Sequence, residues 1–438
     1  MTPTLITETK PEDWTYISEG GATIVFSYRG PHNVQFSDRV LRLRKVAQGS
    51  SDNTLLNTNS EQPDDPMIAF QENIISKLIP SEFLPSLVMV VLDEDWLRSL
   101  VILRDGDRPA ERRQTDQIDV RRTKGVLATD LIGSMPIAME IKPKWGFLPT
   151  EYHLSPETVA LKTGTCRFCM HTSFRMEQGA VGTTYCPLDL FSSDETRVRK
   201  ALGALWAGWY ESNGSLNNLR FFVQGRMTKP DDDHSVQLLA HFFTADGSTD
   251  VQNLRQSFTS VLAQALLDSP VLSLLSTLQR TLDVLDVEGL SKLYTQTLPD
   301  LPYNGLGSLV PDPSMEEWKD FVKIYHSDYH SWNHTVPSPR HLRHYLMAYL
   351  LSATFKDCSI IIWPKSTQVG SFDVTIIDMD IKSMDRLGKW ERLDRKIVEH
   401  YKSSGSQRRC IDSQRVTQLG CTPMCYCSLA SNVAYRYI

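Results

Sequence analysis

The chain has 438 residues, of which 41% are hydrophobic and 22% charged, and its formal net charge is −6 at pH 7. These are ordinary values for a globular protein with two core-bearing lobes, and the acidic balance argues against a general nucleic-acid binder or RNA scaffold. No apolar run approaches the roughly 20 residues that span a bilayer, and "MTPTLITETKPEDW" lacks the order of a signal peptide. Eight cysteines in so long a chain are not a disulfide framework, so a nuclear or cytoplasmic location is expected.

In chain order, "YISEGGATIVFSYRG" reads as strands around a Gly-Gly turn. "QFSDRVLRLRKV" follows, its apolar positions Val40, Leu41, Leu43 and Val46 marking a half-buried strand that carries Arg42 and Arg44. Residues 47–66 are polar and turn-rich, which predicts a disordered insertion. "MIAFQENIISKLI" has helical spacing, residues 80–125 mix short strands with a basic segment, and "MPIAMEIKPKWGF" reads as a strand. From about 155 the pattern turns helical, in "SDETRVRKALGALWAGWYES" and "SFTSVLAQALLDSPVLSLLSTLQRTLDVL". "TKPDDDHS" and the tail from about 403 read as flexible connections. The expected fold class is α+β and two-lobed: a β-rich N-lobe over 1–138, a larger, mainly helical C-lobe over 139–402, and a flexible tail over 403–438.

Two local patterns carry chemistry. In "KDCSIIIWPKSTQVGSFDVTIIDMDIK", Cys358–Trp363 and Phe372–Ile377 are β-rich runs joined by a polar loop with Pro364 and Gly370. An antiparallel hairpin brings Asp357 and Asp378 to one end, with Asp380 just beyond, an arrangement suited to Mg²⁺ and to acid–base work. The plainer reading is that strand-end aspartates form turns and caps. Lys382, Arg386 and Trp390 recur every four residues, which puts Arg386 and Trp390 on one helical face, while Leu387, Leu393, Ile397 and Tyr401 mark a core stripe.

The second pattern is "MEIKPKWGFLP". Pro143 keeps Lys142 out of helix, and strand alternation predicts Glu140, Lys142 and Lys144 on one side. Two cations with so little backbone freedom suit a dense polyanion better than a single phosphate. The plainer reading is a lobe-connecting strand with exposed lysines.

Glu140, Ile141, Lys142, Pro143 and Lys144 together resemble the Glu-x-Lys-Pro-Lys signature of the inositol-pentakisphosphate 2-kinase family. The resemblance extends in family order through "EGGATIVFSY", Arg108–Pro109, "CRFCMH", "PLDLFS", "NNLRFFVQG", "KDCSI" and "DMDIK". It implies a fold distantly like protein kinases, and an enzyme that uses ATP and Mg²⁺ to phosphorylate the 2-hydroxyl of inositol pentakisphosphate. It further implies ATP contacts from Gly20, Gly21, Ala22, Thr23, Val25 and Arg42, proton acceptance by Asp357, and metal binding by Asp378 with Asp380. The inositol phosphate would be held by Arg108, Lys142, Lys144, Arg175, Asn217, Asn218, Arg220, Lys382, Arg386 and Trp390. Arg175 stands where lysine is usual, Trp390 where a hydroxyl-bearing aromatic is familiar, and Trp145 where a small residue is common. Arg44 or Lys45 would supply a basic residue otherwise displaced. A monomer is expected, and the alternative is a non-catalytic inositol-polyphosphate binder.

Metal readings are weaker. Cys166, Cys169 and His171 have half the spacing of a zinc site, with Cys186 as a further thiol, and no structural zinc is expected. His326, His330 and His334 fall at helical intervals, and Cys421, Cys425 and Cys427 fit no site.

Overall fold

The alternation in the first third of the chain builds a mixed, twisted sheet whose inner face is aromatic. The computed structural model describes residues 3–49, 62, 64–244, 247–299, 304–365, 372–405 and 408–414. Strands β1 (Thr4–Leu5), β2 (Trp14–Glu19), β3 (Thr23–Tyr28), β4 (Arg39–Ala47), β5 (Leu87–Val91), β6 (Asp116–Ile118) and β7 (Lys124–Thr129) form the N-lobe sheet. Its order is β1-β5-β7-β4-β3-β2, with β6 paired to β4. One face buries Trp14, Ile24, Phe26 and Leu41 against the helix Glu94–Arg104, which contributes Trp96, Leu97 and Leu100. Trp14 meets Tyr28 and Trp96 edge-on at ring separations of 5.2 and 6.5 Å, a geometry that adds to plain area burial. Most of the polar 47–66 insertion, at 50–61 and 63, lies outside the described residues.

The C-lobe begins with a five-stranded antiparallel sheet: β8 (Ile137–Ile141), β9 (Leu219–Val223), β10 (Arg226–Thr228), β11 (Ser359–Pro364) and β12 (Phe372–Ile377), in the order β10-β9-β8-β11-β12. The signature strand β8 is therefore central, flanked by β9 and β11. The predicted hairpin is present, β11 pairing with β12 from Ser359↔Ile377 to Pro364↔Phe372. Its connecting loop, with Gly370, lies outside the described residues. Helices pack around this sheet, and a single large apolar cluster runs from Phe70 to Leu387.

The helical spacing of 257–285 is borne out, as two helices, and two other expectations are corrected. The apolar run 257–285 divides into helices Val251–Asp268 and Val271–Leu282, because Pro270 cannot donate to the preceding turn. The "TKPDDDHS" stretch is organised: Asp232 caps the helix Asp233–Phe243 by accepting from Ser235 N at 3.2 Å. The tail after 403 returns to the C-lobe over 408–414, where buried Asp412 accepts from Leu148 N at 2.9 Å and from Arg280 at 2.8 Å. Cys421, Cys425 and Cys427 lie outside the described residues. Among the described residues no single helix is long and apolar enough to cross a membrane.

Candidate functional site

Glu140 is the buried hub of the signature. Central in the sheet, it stands opposite Arg220 on β9 and Ile361 on β11. It accepts from Ser359 Oγ at 2.8 Å and Arg220 at 3.2 Å, and pairs with Lys142 at 3.3 Å. Three donors satisfy a carboxylate that would otherwise be costly to bury. Beyond Ile141 the strand ends. Lys142 N donates to Asn218 O at 3.0 Å, and Asn218 Nδ2 returns a bond to Lys142 O at 3.1 Å. Asn218 thus sets the backbone of the motif.

The cations then meet the acids. Lys142 lies 3.4 Å from Asp378, and Lys144 and Lys382 lie 3.3 and 3.2 Å from the two oxygens of Asp357. Strand alternation is not what brings Lys144 here. Its backbone is left-handed (φ 67°), as is that of Asp378 (φ 62°), and the turn, not the pleat, aims it. Such a conformation costs about 1–2 kcal/mol in a residue with a Cβ, whereas a half-exposed ion pair contributes at most about 1 kcal/mol. The cluster therefore does not exist for stability.

Charge sets the acid's protonation. Burial works to raise the Asp357 carboxyl, but Lys144 and Lys382 outweigh it and hold it below the ordinary carboxylate value. Burial likewise pulls Lys142 down, and Glu140 with Asp378 more than reverses it. Asp357 ends the helix Leu342–Asp357, and its position is tied to the signature through Gln279. This fully buried amide accepts from Gly146 N at 2.7 Å and donates to Lys144 O at 3.0 Å and Phe355 O at 2.9 Å. Trp145 is gripped between Arg167 and Lys356, 4.7 and 4.2 Å from its ring. No sequence signal marked Gln279.

A further basic face was missed in part. Arg167, His171 and Arg175 recur every four residues on the helix Arg167–Glu177. Burial first, then Arg167, Arg175 and Lys144, push His171 down to about 4. Arg167, Arg175 and Lys144 therefore all lie within electrostatic reach of His171, and Arg167 is itself paired with Asp394 at 2.8 Å. Asn217 and Arg386 are exposed nearby in chain order, Asn217 just before β9 and Arg386 in the first turn of the helix Asp385–Ser403. Trp390 is half-buried against Tyr349 at 6.1 Å, as much a core residue as a cleft residue. Leu387, Ile397 and Tyr401 are buried as their spacing predicted.

On the N-lobe, Gly20, Gly21 and Ala22 are exposed at the β2–β3 turn, and a side chain at either glycine would meet nothing within 4 Å. Thr23 pairs with Arg44 and Val25 with Arg42, so these four share one sheet face. Arg42 Nε is buried without a hydrogen-bond partner among the described residues. Arg44 pairs with Asp65 at 2.7 Å and feels Asp380 of the C-lobe.

Arg108 departs from expectation. Its guanidinium is 1% exposed and spends its donors on Glu19 (2.9 Å), Asp105 (3.0 Å) and Asp116 (2.6 Å). It secures Glu19, directly before the Gly-Gly turn, and offers no free donor to the cleft. Lys45 is committed to the same Glu19 and Asp116, at 3.0 and 2.9 Å, which removes it as a substitute cation. The helical histidines stack and bond instead of converging. His326 contacts Lys77 O at 3.0 Å, His330 packs on Tyr325 at 4.8 Å, and His334 meets Tyr345 OH at 3.0 Å.

Comparison with known proteins gives the family. The family profile described as inositol-pentakisphosphate 2-kinase matches residues 16–396. Inositol-pentakisphosphate 2-kinase of Cryptococcus neoformans is 35% identical, covering 92% of this chain and 96% of its own length. The proteins of the same name from Arabidopsis thaliana and Danio rerio are 25% and 26% identical, covering 91% and 89% of this chain and 95% and 93% of their own. The chain belongs to the inositol-pentakisphosphate 2-kinase family.

Proposed function

We infer that this site moves the γ-phosphate of ATP to the 2-hydroxyl of inositol 1,3,4,5,6-pentakisphosphate, giving inositol hexakisphosphate. The observation that carries the inference is the meeting of Asp357 and Asp378 with Lys142, Lys144 and Lys382 at one end of the β11–β12 hairpin. A plain anion receptor gains nothing from carboxylates beside five phosphates, which argues against the non-catalytic alternative. In the transfer, the 2-hydroxyl oxygen bonds to the γ-phosphorus as the bond to the bridging oxygen of ADP breaks, and Asp357 takes the hydroxyl proton. The depressed protonation of Asp357 keeps it available as a base. Lys144 and Lys382, now paired with it, have phosphate groups as their natural partners once substrate arrives, alongside Lys142, Arg175, Asn217, Asn218, Arg220 and Arg386.

Open space beside Gly20 and Gly21, with Ala22, Thr23 and Val25 following, suits the approach of a triphosphate, and the unpartnered Arg42 Nε suits its charge. Asp378 and Asp380 are the residues that would hold Mg²⁺; their hard oxygens fit it, and both are accessible. When bound, the ion would neutralise charge on the nucleotide phosphates. Incubation with Mg-ATP and inositol pentakisphosphate, followed by anion-exchange separation, is expected to yield stoichiometric ADP and hexakisphosphate. Tight pentakisphosphate binding with no turnover would favour the non-catalytic reading instead.

A further inference from the structure

Asp357 and the lysine before it face opposite ways. The Asp357 side chain is 60% exposed, whereas that of Lys356 is 3% exposed and turns into the C-lobe. Its ammonium lies 2.5 Å from Asp283 and 4.2, 5.0 and 5.2 Å from the ring centres of Trp145, Tyr349 and Phe147. Three aromatic rings and one carboxylate thus enclose a single buried cation. Burial lowers the pKa of that ammonium, and Asp283 opposes the fall.

Each wall of this cage adjoins a part of the site. Trp145 follows Lys144, and Lys356 itself precedes Asp357. Tyr349 packs on Trp390, which belongs to the helix that carries Arg386. Asp283 closes the helix Val271–Leu282, whose Gln279 bonds Lys144 O and Phe355 O. Those two bonds tie backbones together and leave the side chains to be aimed by other contacts. The left-handed turn at Lys144 needs such support, because a strained non-glycine residue persists only where its surroundings over-determine it. A buried ion pair adds little to stability beyond what apolar side chains of the same volume provide. What it adds is direction: an ammonium drawn to ring faces and to one carboxylate has a single low-energy place.

We propose that Lys356 is a positioning residue for phosphoryl transfer: its caged charge holds Trp145, and with it Lys144, in a fixed relation to Asp357. Buried as it is, Lys356 acts through its neighbours and not on the substrate. The inference rests on the roles given to Asp357 and Lys144 above.

The test compares variants of the full chain that keep volume and remove charge. Lys356→Met alone strands Asp283, so it is combined with Asp283→Asn. The double variant should keep the urea midpoint of the unaltered chain and its KM for ATP. Its kcat should fall about 10²-fold, the cost of misplacing a group by about 1 Å. At the cage wall, Trp145→Phe should retain most of kcat and Trp145→Leu should lose it, since phenylalanine keeps a ring face and leucine only bulk. In chain labelled with ¹³C at lysine Cε, one methylene should be shifted upfield by the rings and vanish in the double variant. Should the double variant fail to fold, the Trp145 pair and the spectrum of the unaltered chain still decide. The proposal is overturned by unaltered kcat in the folded double variant, by equal kcat in Trp145→Phe and Trp145→Leu, or by the absence of the upfield methylene. Normal turnover by Asp357→Asn would overturn the reading of the site, and the proposal with it. The two failures are told apart because the first leaves Asp357→Asn inactive.

Discussion

Two clusters of mixed charge, one on each sheet, differ in almost every respect except composition. In the N-lobe, Glu19, Lys45 and Arg108 are 1–2% exposed, and every N–H of Arg108 has an acceptor. In the C-lobe, Asp357 is 60% and Asp378 39% exposed, and their contacts with lysines are all 3.2 Å or longer. The first cluster is a closed circuit whose energy goes into holding a strand end. The second retains hydrogen-bonding capacity and sits on strained backbone, so its charges are available to a visitor. Residue type alone does not separate scaffold from site; unspent donors and acceptors do.

Each half of that contrast can be broken by substitution. The largest effect is expected from Asp357→Asn, which should lower kcat by about 10²- to 10⁴-fold while leaving pentakisphosphate affinity intact or improved. Normal turnover in single-turnover assays would remove Asp357 from the base role. Next is Arg108→Met, which leaves buried Glu19 and Asp116 with Lys45 as their one remaining cation and should cost about 3–5 kcal/mol in urea unfolding. Unchanged stability with a raised Kd for pentakisphosphate would move Arg108 back to the cleft. Lys144→Ala is expected to weaken pentakisphosphate binding roughly 10- to 100-fold, the value of a charge-assisted bond, and calorimetric titration measures it.

The smallest effect concerns pH. Burial and the cations Arg167, Arg175 and Lys144 keep His171 neutral, at about 4. In the free protein the unfolded chain protonates this imidazole first, so its contribution to stability is present above about pH 6.5 and lost as pH falls toward 4. A bound polyphosphate reverses the local field and raises the pKa. Binding should then take up a proton and tighten, by less than about tenfold, between pH 7 and 5. Titrations in buffers of different ionisation enthalpy should show that uptake, and His171→Asn should abolish it.

The hairpin was legible because its strands are β-branched runs and the shared strand end follows from antiparallel pairing alone. The N-terminal strands were legible through a different signal, alternating burial such as Ile24 and Phe26 or Leu41 and Leu43. What stayed hidden depends on contacts distant in sequence. Arg108 looks like a ligand residue until Glu19 and Asp116 close around it. Gln279 has no pattern, since one amide on a helix interior reads as ordinary. Cys410, whose Sγ lies within 4.8 Å of those of Cys166, Cys169 and Cys186, stands 224 residues after Cys186, beyond the reach of any spacing argument. The aim of Lys144 escaped because a non-glycine left-handed turn is imposed by packing, not by propensity.

The three bonds of the Gln279 amide carry a mechanical consequence. Through them the lysine that would grip a phosphate and the aspartate that would take the proton ride on one rigid block. These bonds fix the backbone of Lys144 against that of Phe355, two residues before Asp357. In the transfer proposed above, a change in the N-terminal sheet would therefore leave the distance between these two groups untouched.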